Sequence, residues 1–342
     1  MVTQWTAEGN SNASMHPNLR PIAALGMARW KRQAVAAFLA EDGLRPMYCR
    51  TAAKAISVAI SQQINILVWA SKSTPWLRQT CAAKAVSLLH MEDGFLRSRG
   101  LGSRHVTPLS LVIDHRGIYY DATASSDLEH LLQFGNISPD RISEAARLRS
   151  LIVEAGLSKY NVGGRAAALH VPTGRRSLLV VGQVGDDASI RMGTGSIANN
   201  LALLQQVRAE NPGAYIIYKP HPDVEHGWRN GWLSPHVTLN YADYIASDLA
   251  ADIAIAAVDE VCVMTSLLGF EALLRGKAVT CYGMPFYAGW GITKDRMTCA
   301  RRDRKRSVDE VLAAAFLMYA RYVDPTTMRP ADSFTIARSL IN

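Results

Sequence analysis

Leu178-Leu179-Val180-Val181-Gly182-Gln183-Val184-Gly185-Asp186-Asp187-Ala188-Ser189 is the stretch from which the architecture can be read. Its first four residues are apolar without alternation, which predicts a strand buried on both faces, as in a parallel sheet. The switch to glycine and aspartate marks that strand's carboxyl end. The same unit recurs downstream. A helix is predicted over Ile197–Glu210, stopped by Asn211-Pro212-Gly213. A strand over Tyr215–Tyr218 then runs into Lys219-Pro220-His221-Pro222-Asp223. Another, Asp259–Met264, meets Thr265-Ser266 and a helix that ends at Arg275 before Gly276, and Val279–Tyr282 is the next strand. A last helix is predicted over Val308–Tyr322, behind the basic run Arg301, Arg302, Arg304, Lys305 and Arg306.

Upstream, Ala28–Ala40 reads as a helix with Trp30, Val35, Phe38 and Leu39 in an apolar stripe. Ile64–Ala70 and Val86–Met91 read as buried strands. Leu109–Ile113 and Ile118–Tyr120 read as strands about a turn at His115-Arg116-Gly117, and Asp127–Gln133 and Arg141–Ala155 as helices. Gly156–Ser177, rich in glycine and arginine, is expected to be an interdomain linker. Strands alternating with helices on both sides imply two parallel α/β domains, each Rossmann-like, facing across a cleft. The expected boundaries are 20–165 and 175–306, with 307–342 a helix and tail packing back on the first domain.

The length of 342 residues agrees with two cores, since one core rarely grows past about 250–300 residues. Hydrophobic residues at 49% and charged residues at 19% exclude a disordered tail, a collagen or a disulfide-rich mini-domain. Cys49, Cys81, Cys262, Cys281 and Cys299 form no CxxC pair, so neither a zinc ribbon nor a thioredoxin-like site is expected, and a reducing cytoplasm fits. The net charge of +8 suits an anionic partner: nucleic acid, anionic lipid, a nucleotide or an acidic sugar. The basic run has no recognised motif and no interleaved aromatics, which argues against nucleic acid. No stretch reaches the roughly 18–20 apolar residues of a membrane span, and the first twenty residues lack a signal-peptide apolar region. Membrane contact is therefore expected to be peripheral, with the basic run near anionic lipid or the nucleotide mouth.

Four polar motifs fall at predicted strand ends. Glu92-Asp93-Gly94 puts two carboxylates at the cleft edge, where a raised pKa makes a proton acceptor, and Arg97 lies close by. The plainer reading is a capped turn, as at Glu41-Asp42-Gly43. In Gly182–Ser189 the glycines free backbone amides, Gln183 stands at the cleft, and Asp187 is placed to act as nucleophile or base. A calcium loop would need more regularly spaced oxygens, and Gly193-Thr194-Gly195 lacks the third glycine of a dinucleotide fingerprint. Lys219 and His221 suit a phosphate, in a loop stiffened by Pro220 and Pro222, although a structural turn explains them equally. Thr265-Ser266 opens a helix whose N-terminus favours phosphate, with Glu271 within reach of ribose hydroxyls; a simple serine cap is the alternative.

These motifs, with Met91–Ser98, Pro108–Asp114, Gly117–Thr123, Leu157–Asn161, Thr265–Leu274 and Pro285–Gly291, resemble the KpsC family of capsule polysaccharide β-Kdo transferases over residues 20–325. The resemblance implies a GT-B-like fold and a retaining, metal-independent glycosyltransferase with no cofactor, using CMP-Kdo as donor. It implies extension of an oligo-Kdo linker on a phosphatidylglycerol-type lipid, a Kdo-terminated glycolipid acceptor, capsule biosynthesis and export proteins as partners, and a peripheral place at the inner face of the inner membrane. The carboxylate-Asp-Gly and His-Pro motifs also resemble those of bacterial sialyltransferases. By resemblance Asp187 is the nucleophile, Asp93 or Glu92 deprotonates the acceptor, and Arg97 binds the Kdo carboxylate. Gln183, Lys219, His221, Pro222, Thr265, Ser266 and Glu271 bind the nucleotide sugar. Typical members carry two such modules, whereas one is present here. A CMP- or UDP-sugar epimerase or hydrolase of the same fold, and a non-catalytic nucleotide-sugar-binding module, are the rival readings.

Overall fold

The computed structural model describes residues 19–101, 105–162 and 169–341. The polar N-terminal stretch 1–18 and the central part of the expected linker, 163–168, lie outside the described residues. In the first half, β1 (Arg20–Leu25), α1 (Arg32–Glu41), β2 (Leu44–Cys49), α2 (Ala52–Gln62), β3 (Ile66–Trp69), α3 (Pro75–Ala83) and β4 (Leu88–Asp93) alternate as wound units. Then come β5 (Ser110–Asp114), α4 (Asp127–Phe134) and α5 (Pro139–Glu154). Start signals are explicit in the sequence: Thr74 and Ser138 cap helices that place Pro75 and Pro139 at a first turn where no amide hydrogen is needed.

The second half carries β6 (Ser177–Val181), α6 (Ala188–Gly193), α7 (Asn200–Glu210), β7 (Tyr215–Lys219), α8 (Pro222–Glu225), α9 (Pro235–Thr238) and β8 (Tyr244–Ile245). It continues through α10 (Ala251–Ala256), β9 (Glu260–Val263), α11 (Leu267–Leu274), β10 (Ala278–Cys281) and β11 (Lys294–Asp295). Its six strands lie in the order β11-β10-β9-β6-β7-β8, all parallel. Chain order reverses between β6 and β9, and the crevice outside the carboxyl ends at such a reversal is where doubly wound sheets take ligands.

The first sheet departs from the all-parallel expectation. With β12 (Ala320–Val323) and β13 (Pro330–Ala331) its order is β13-β12-β5-β4-β3-β1-β2, and only β2, β1, β3 and β4 are parallel. β5 returns antiparallel to β4: among the described residues no helix lies between them to make the crossover that a parallel neighbour needs. The strand expected at Ile118–Tyr120 is a turn. The Asp114 carboxylate accepts the amides of Arg116, Gly117 and Asp127, which curls the chain before it can extend.

The last helix is also shorter than expected. α12 (Val308–Leu312) widens into π-helical turns over Ala313–Tyr319. The chain then extends as β12 (Ala320–Val323) and β13 (Pro330–Ala331) before α13 (Ser333–Ile341). β12 pairs antiparallel with β5 and so covers an edge of the first sheet that would otherwise leave its amides unpaired. The Tyr319 hydroxyl donates to Asp114 at 2.8 Å and fixes the point of entry.

Where the halves meet, their cores are continuous. Phe95 lies 5.0 Å from Phe286 and 4.9 Å from Phe316, and Phe270 lies 5.3 Å from Phe286, ring centre to ring centre. Arg301, Arg302 and Arg306 of the basic run are engaged at this junction rather than at the expected nucleotide mouth, while Arg304 and Lys305 stay exposed. Arg301 and Arg302 both pair with Glu129 of α4, at 2.6 and 2.8 Å. Arg302 also donates to the Pro285 and Ala288 carbonyls, and Arg306 to those of Leu132 and Gly135. The end of α4 offers unpaired carbonyls and the negative end of the helix dipole, so cations are drawn there.

The Arg302 and Glu129 side chains are only 2% and 5% exposed, so removing one partner strands a buried charge. Glu129→Ala is expected to lose about 3–5 kcal/mol of stability. Urea denaturation at pH 7 measures this; a loss below about 1 kcal/mol, the worth of an exposed pair, would contradict the latch.

Candidate active site

The carboxyl ends of both sheets open onto one cavity of ≈ 540 Å³. Of the expected site residues, Glu92, Asp93, Gln183, Asp187, Lys219, His221, Pro222, Thr265, Ser266 and Glu271 line it, and Arg97 does not.

The second-domain wall is built at the reversal point. Gly182 follows β6 where any side chain would collide with Tyr218, whose hydroxyl lies 2.6 Å from the place of a Cβ. Gln183 then reaches across to β9: its amide nitrogen donates to Thr265 Oγ1 at 3.0 Å, and its amide oxygen accepts the Thr265 backbone N–H at 2.8 Å. Both ends of the amide are engaged, so Gln183 and Thr265 act first as a clasp between two loops. Asp187 caps α6, accepting the Ser189 amide at 2.9 Å, which turns the carboxylate to the cavity wall. Its neighbour Asp186 turns outward and pairs with Arg229. Ser266 caps α11. His221 accepts the Asp223 amide on Nδ1, which leaves the ring proton on Nε2, and burial holds its pKa below the usual value. Lys219 is mostly committed elsewhere: its buried ammonium donates to the Leu249 carbonyl at 2.5 Å.

On the first-domain wall, β4 extends two residues past its apolar stretch, so Glu92 and Asp93 are strand residues with side chains on opposite faces. Lys31 Nζ reaches one Asp93 oxygen at 3.0 Å and Arg97 Nε the other at 2.9 Å. Burial alone would raise the Asp93 pKa, but Lys31, Arg97 and Lys159 outweigh it and hold Asp93 ionised. Glu92 makes no ion pair; Lys31 and Lys159 favour its charged form, but burial together with the Asp93 charge outweighs them and pushes it up to about 7. Arg97, expected to take a sugar carboxylate, is fully buried behind Asp93, with its remaining donors on Ser98 and the Val106 carbonyl. It positions Asp93 and cannot reach a ligand.

Glu271 is buried on α11. One oxygen accepts the Lys159 amide at 2.8 Å, the other has no hydrogen-bond partner among the described residues, and burial raises the group to about 7. Sequence reasoning missed Lys31, Tyr119, Tyr120, Lys159 and Tyr160 as lining residues. Tyr119 and Tyr120 fell in an expected strand and Lys159 and Tyr160 in the expected linker; the segments Gly117–Thr123 and Leu157–Asn161 carried the family resemblance, but no site role was read for these four residues. Among the described residues, no cluster of three or more His, Cys, Asp or Glu side chains is placed to hold a metal ion, and no helix is long and apolar enough to cross a membrane.

The protein family described as capsule polysaccharide biosynthesis protein matches residues 65–324. A capsule polysaccharide modification protein, LipA, of Neisseria meningitidis serogroup B is 42% identical over 318 residues, covering 93% of this chain and 45% of that protein. The lipopolysaccharide-processing protein LpsZ of Rhizobium meliloti is 40% identical, covering 93% of this chain and 72% of that one. The chain thus spans a little under half the length of LipA. Two solved structures from Thermosulfurimonas dismutans KpsC are similar throughout. The beta Kdo 2,4 transferase has a TM-score of 0.82 at 33% identity, covering 96% of this chain and 99% of that one. The beta Kdo 2,7 transferase has a TM-score of 0.78 at 34% identity, covering 94% and 99%.

The raised Glu92 pKa has a consequence for stability. An acid whose folded pKa lies above its unfolded value stabilises the fold fully below the unfolded pKa, and that contribution is lost as pH rises through the folded value. Glu92→Gln, which mimics the protonated acid, is therefore expected to match wild type near pH 4.5. By pH 8 it should exceed wild type by about 2–3 kcal/mol. Thermal unfolding at the two pH values tests this; an equal or lower melting point for the variant at pH 8 contradicts it.

Proposed function

The chain belongs to the capsule polysaccharide biosynthesis family, and from that premise we propose that it is a retaining β-Kdo glycosyltransferase using CMP-Kdo. Its acceptor is a Kdo-terminated glycolipid on a phosphatidylglycerol-type lipid, extended at the inner face of the inner membrane for capsule export. The observation that carries the reading is a pair of differently tuned carboxylates facing Asp187 across one cavity at the meeting of two Rossmann-like domains.

The chemistry follows from the groups present. CMP leaves when the bond from the anomeric carbon to the phosphate oxygen breaks. The charge on that phosphate is met by the neutral His221 Nε2–H and the amides at the start of α11. Asp187 attacks the anomeric carbon from the opposite face, giving a Kdo ester and inverting configuration. The acceptor hydroxyl then gives its proton to Glu92, attacks the same carbon and releases Asp187, a second inversion that restores the original configuration. A base near pKa 7 is matched to this task, whereas Asp93, ionised and paired twice, serves to keep the Glu92 proton affinity high. The unpartnered oxygen of Glu271 suits a ribose hydroxyl.

Asp187→Asn keeps the shape of the helix cap but removes the nucleophile. Transfer from CMP-Kdo to a Kdo-terminated acceptor is expected to fall by about three orders of magnitude or more, with CMP affinity retained. Wild type mixed with CMP-Kdo alone should gain one Kdo by intact-protein mass spectrometry, mapped to Asp187. An adduct on Asp93, or near-normal transfer by the variant, overturns the assignment.

A further inference from the structure

The cations around the cavity divide sharply by what they hold. Lys31 and Arg97 share Asp93, Lys219 holds the Leu249 carbonyl, Arg229 holds Asp186, and Arg191 donates to the Asp186 carbonyl. Lys159 differs. It lines the cavity half-buried, yet its ammonium makes no hydrogen bond or ion pair with any described residue; its recorded contact is the Tyr160 ring, 5.4 Å from Nζ to the ring centre.

The residue is nevertheless held in place. Its amide donates to Glu271 of the second domain at 2.8 Å, and its carbonyl accepts the Ser98 amide of the first at 3.4 Å. The backbone is pinned between the domains and the head group is left unengaged. Burial works against its charge, the neighbouring Asp93 and Glu92 carboxylates favour it, and its pKa is raised, so it stays protonated. An unengaged ammonium in a partly desolvated wall is an anion subsite.

Resting on the Kdo-transfer reading above, we propose that Lys159 binds the carboxylate of the 2-keto sugar acid and makes the site selective for such acids over neutral sugars. The phosphate has its own donors at His221 and Ser266 on the second-domain wall. Lys159 is within electrostatic reach of His221 but stands with Tyr119, Tyr160 and the Glu92–Asp93 pair, at the end where the sugar must lie for Glu92 to reach the acceptor. In a 2-keto acid the carboxylate is bonded to the anomeric carbon itself. An attacking Asp187 carboxylate therefore approaches a carbon that already bears a negative group, and a cation on that group relieves the repulsion. No committed cation of the cavity is free to do so.

The test uses full-length wild type, Lys159→Met and Lys159→Arg. CMP, which has the phosphate but no sugar carboxylate, should bind all three within about twofold by calorimetry. The kcat/KM for CMP-Kdo should fall on the order of a hundredfold in Lys159→Met, with substantial recovery in Lys159→Arg. The loss should persist in Kdo-adduct formation without acceptor. CMP affinity that falls in parallel in both variants assigns Lys159 to the phosphate and overturns the proposal. A loss seen only when acceptor is present assigns it to the acceptor's carboxylate and does the same. Active wild type with an indifferent Lys159→Met removes this inference alone, whereas wild type inert toward CMP-Kdo removes the transfer reading and this inference with it.

Discussion

The aromatic seam of Phe95, Phe270, Phe286 and Phe316 is the contact on which the site depends. Phe95 follows Asp93 by two residues, and Phe270 directly precedes Glu271. Packing both rings on Phe286 therefore fixes how far the first-domain carboxylates stand from the second-domain helix end. Each such ring pair contributes about 0.5–1.5 kcal/mol beyond the area it buries. The Glu129–Arg302 latch and the carbonyls at the end of α4 hold the same junction from the side. The cleft is thus set by a shared core rather than by two bodies touching at a hinge.

Within that frame, charge is apportioned. Two cations bonded to Asp93 leave Glu92, its chain neighbour, without an ion pair of its own, and the pair separates into a fixed anion and a group poised near neutrality. Adjacent strand residues point to opposite faces, so Asp93 can be held by Lys31 and Arg97 while Glu92 pairs with neither. The same economy explains the reversal of roles around Arg97 and Lys159. The arginine beside the acidic motif in sequence is consumed by it, and the lysine that stays available comes from the far end of the domain.

What was legible in the sequence was local. The parallel second sheet, its strand-end loops, and Asp187, His221, Ser266 and Glu271 at their places all follow from apolar runs broken by glycine, proline or hydroxyl residues. What was not legible depends on partners distant along the chain. Nothing near Arg301 or Arg302 announces Glu129, more than 170 residues away, so within a run read as a surface Arg302 and Arg306 are in fact buried fastenings. The apolar stretch after Val308 has helical periodicity throughout. Only the unpaired edge of β5 explains why it ends in a strand. Lys159 lies in the motif Leu157–Asn161, but nothing in that segment shows that its ammonium is left unengaged.

The return of β12 to the first sheet bears on the order in which the molecule can be made. Asp114 and Tyr319, which meet at that edge, are 205 residues apart. As the chain leaves the ribosome, the first domain has its parallel strands early but lacks its far edge until the second domain has passed. Closing so long a loop is entropically slow, and an open strand edge invites wrong partners meanwhile. The two domains are therefore separate in architecture but not in biogenesis: the first reaches its final form only after the second has been synthesised.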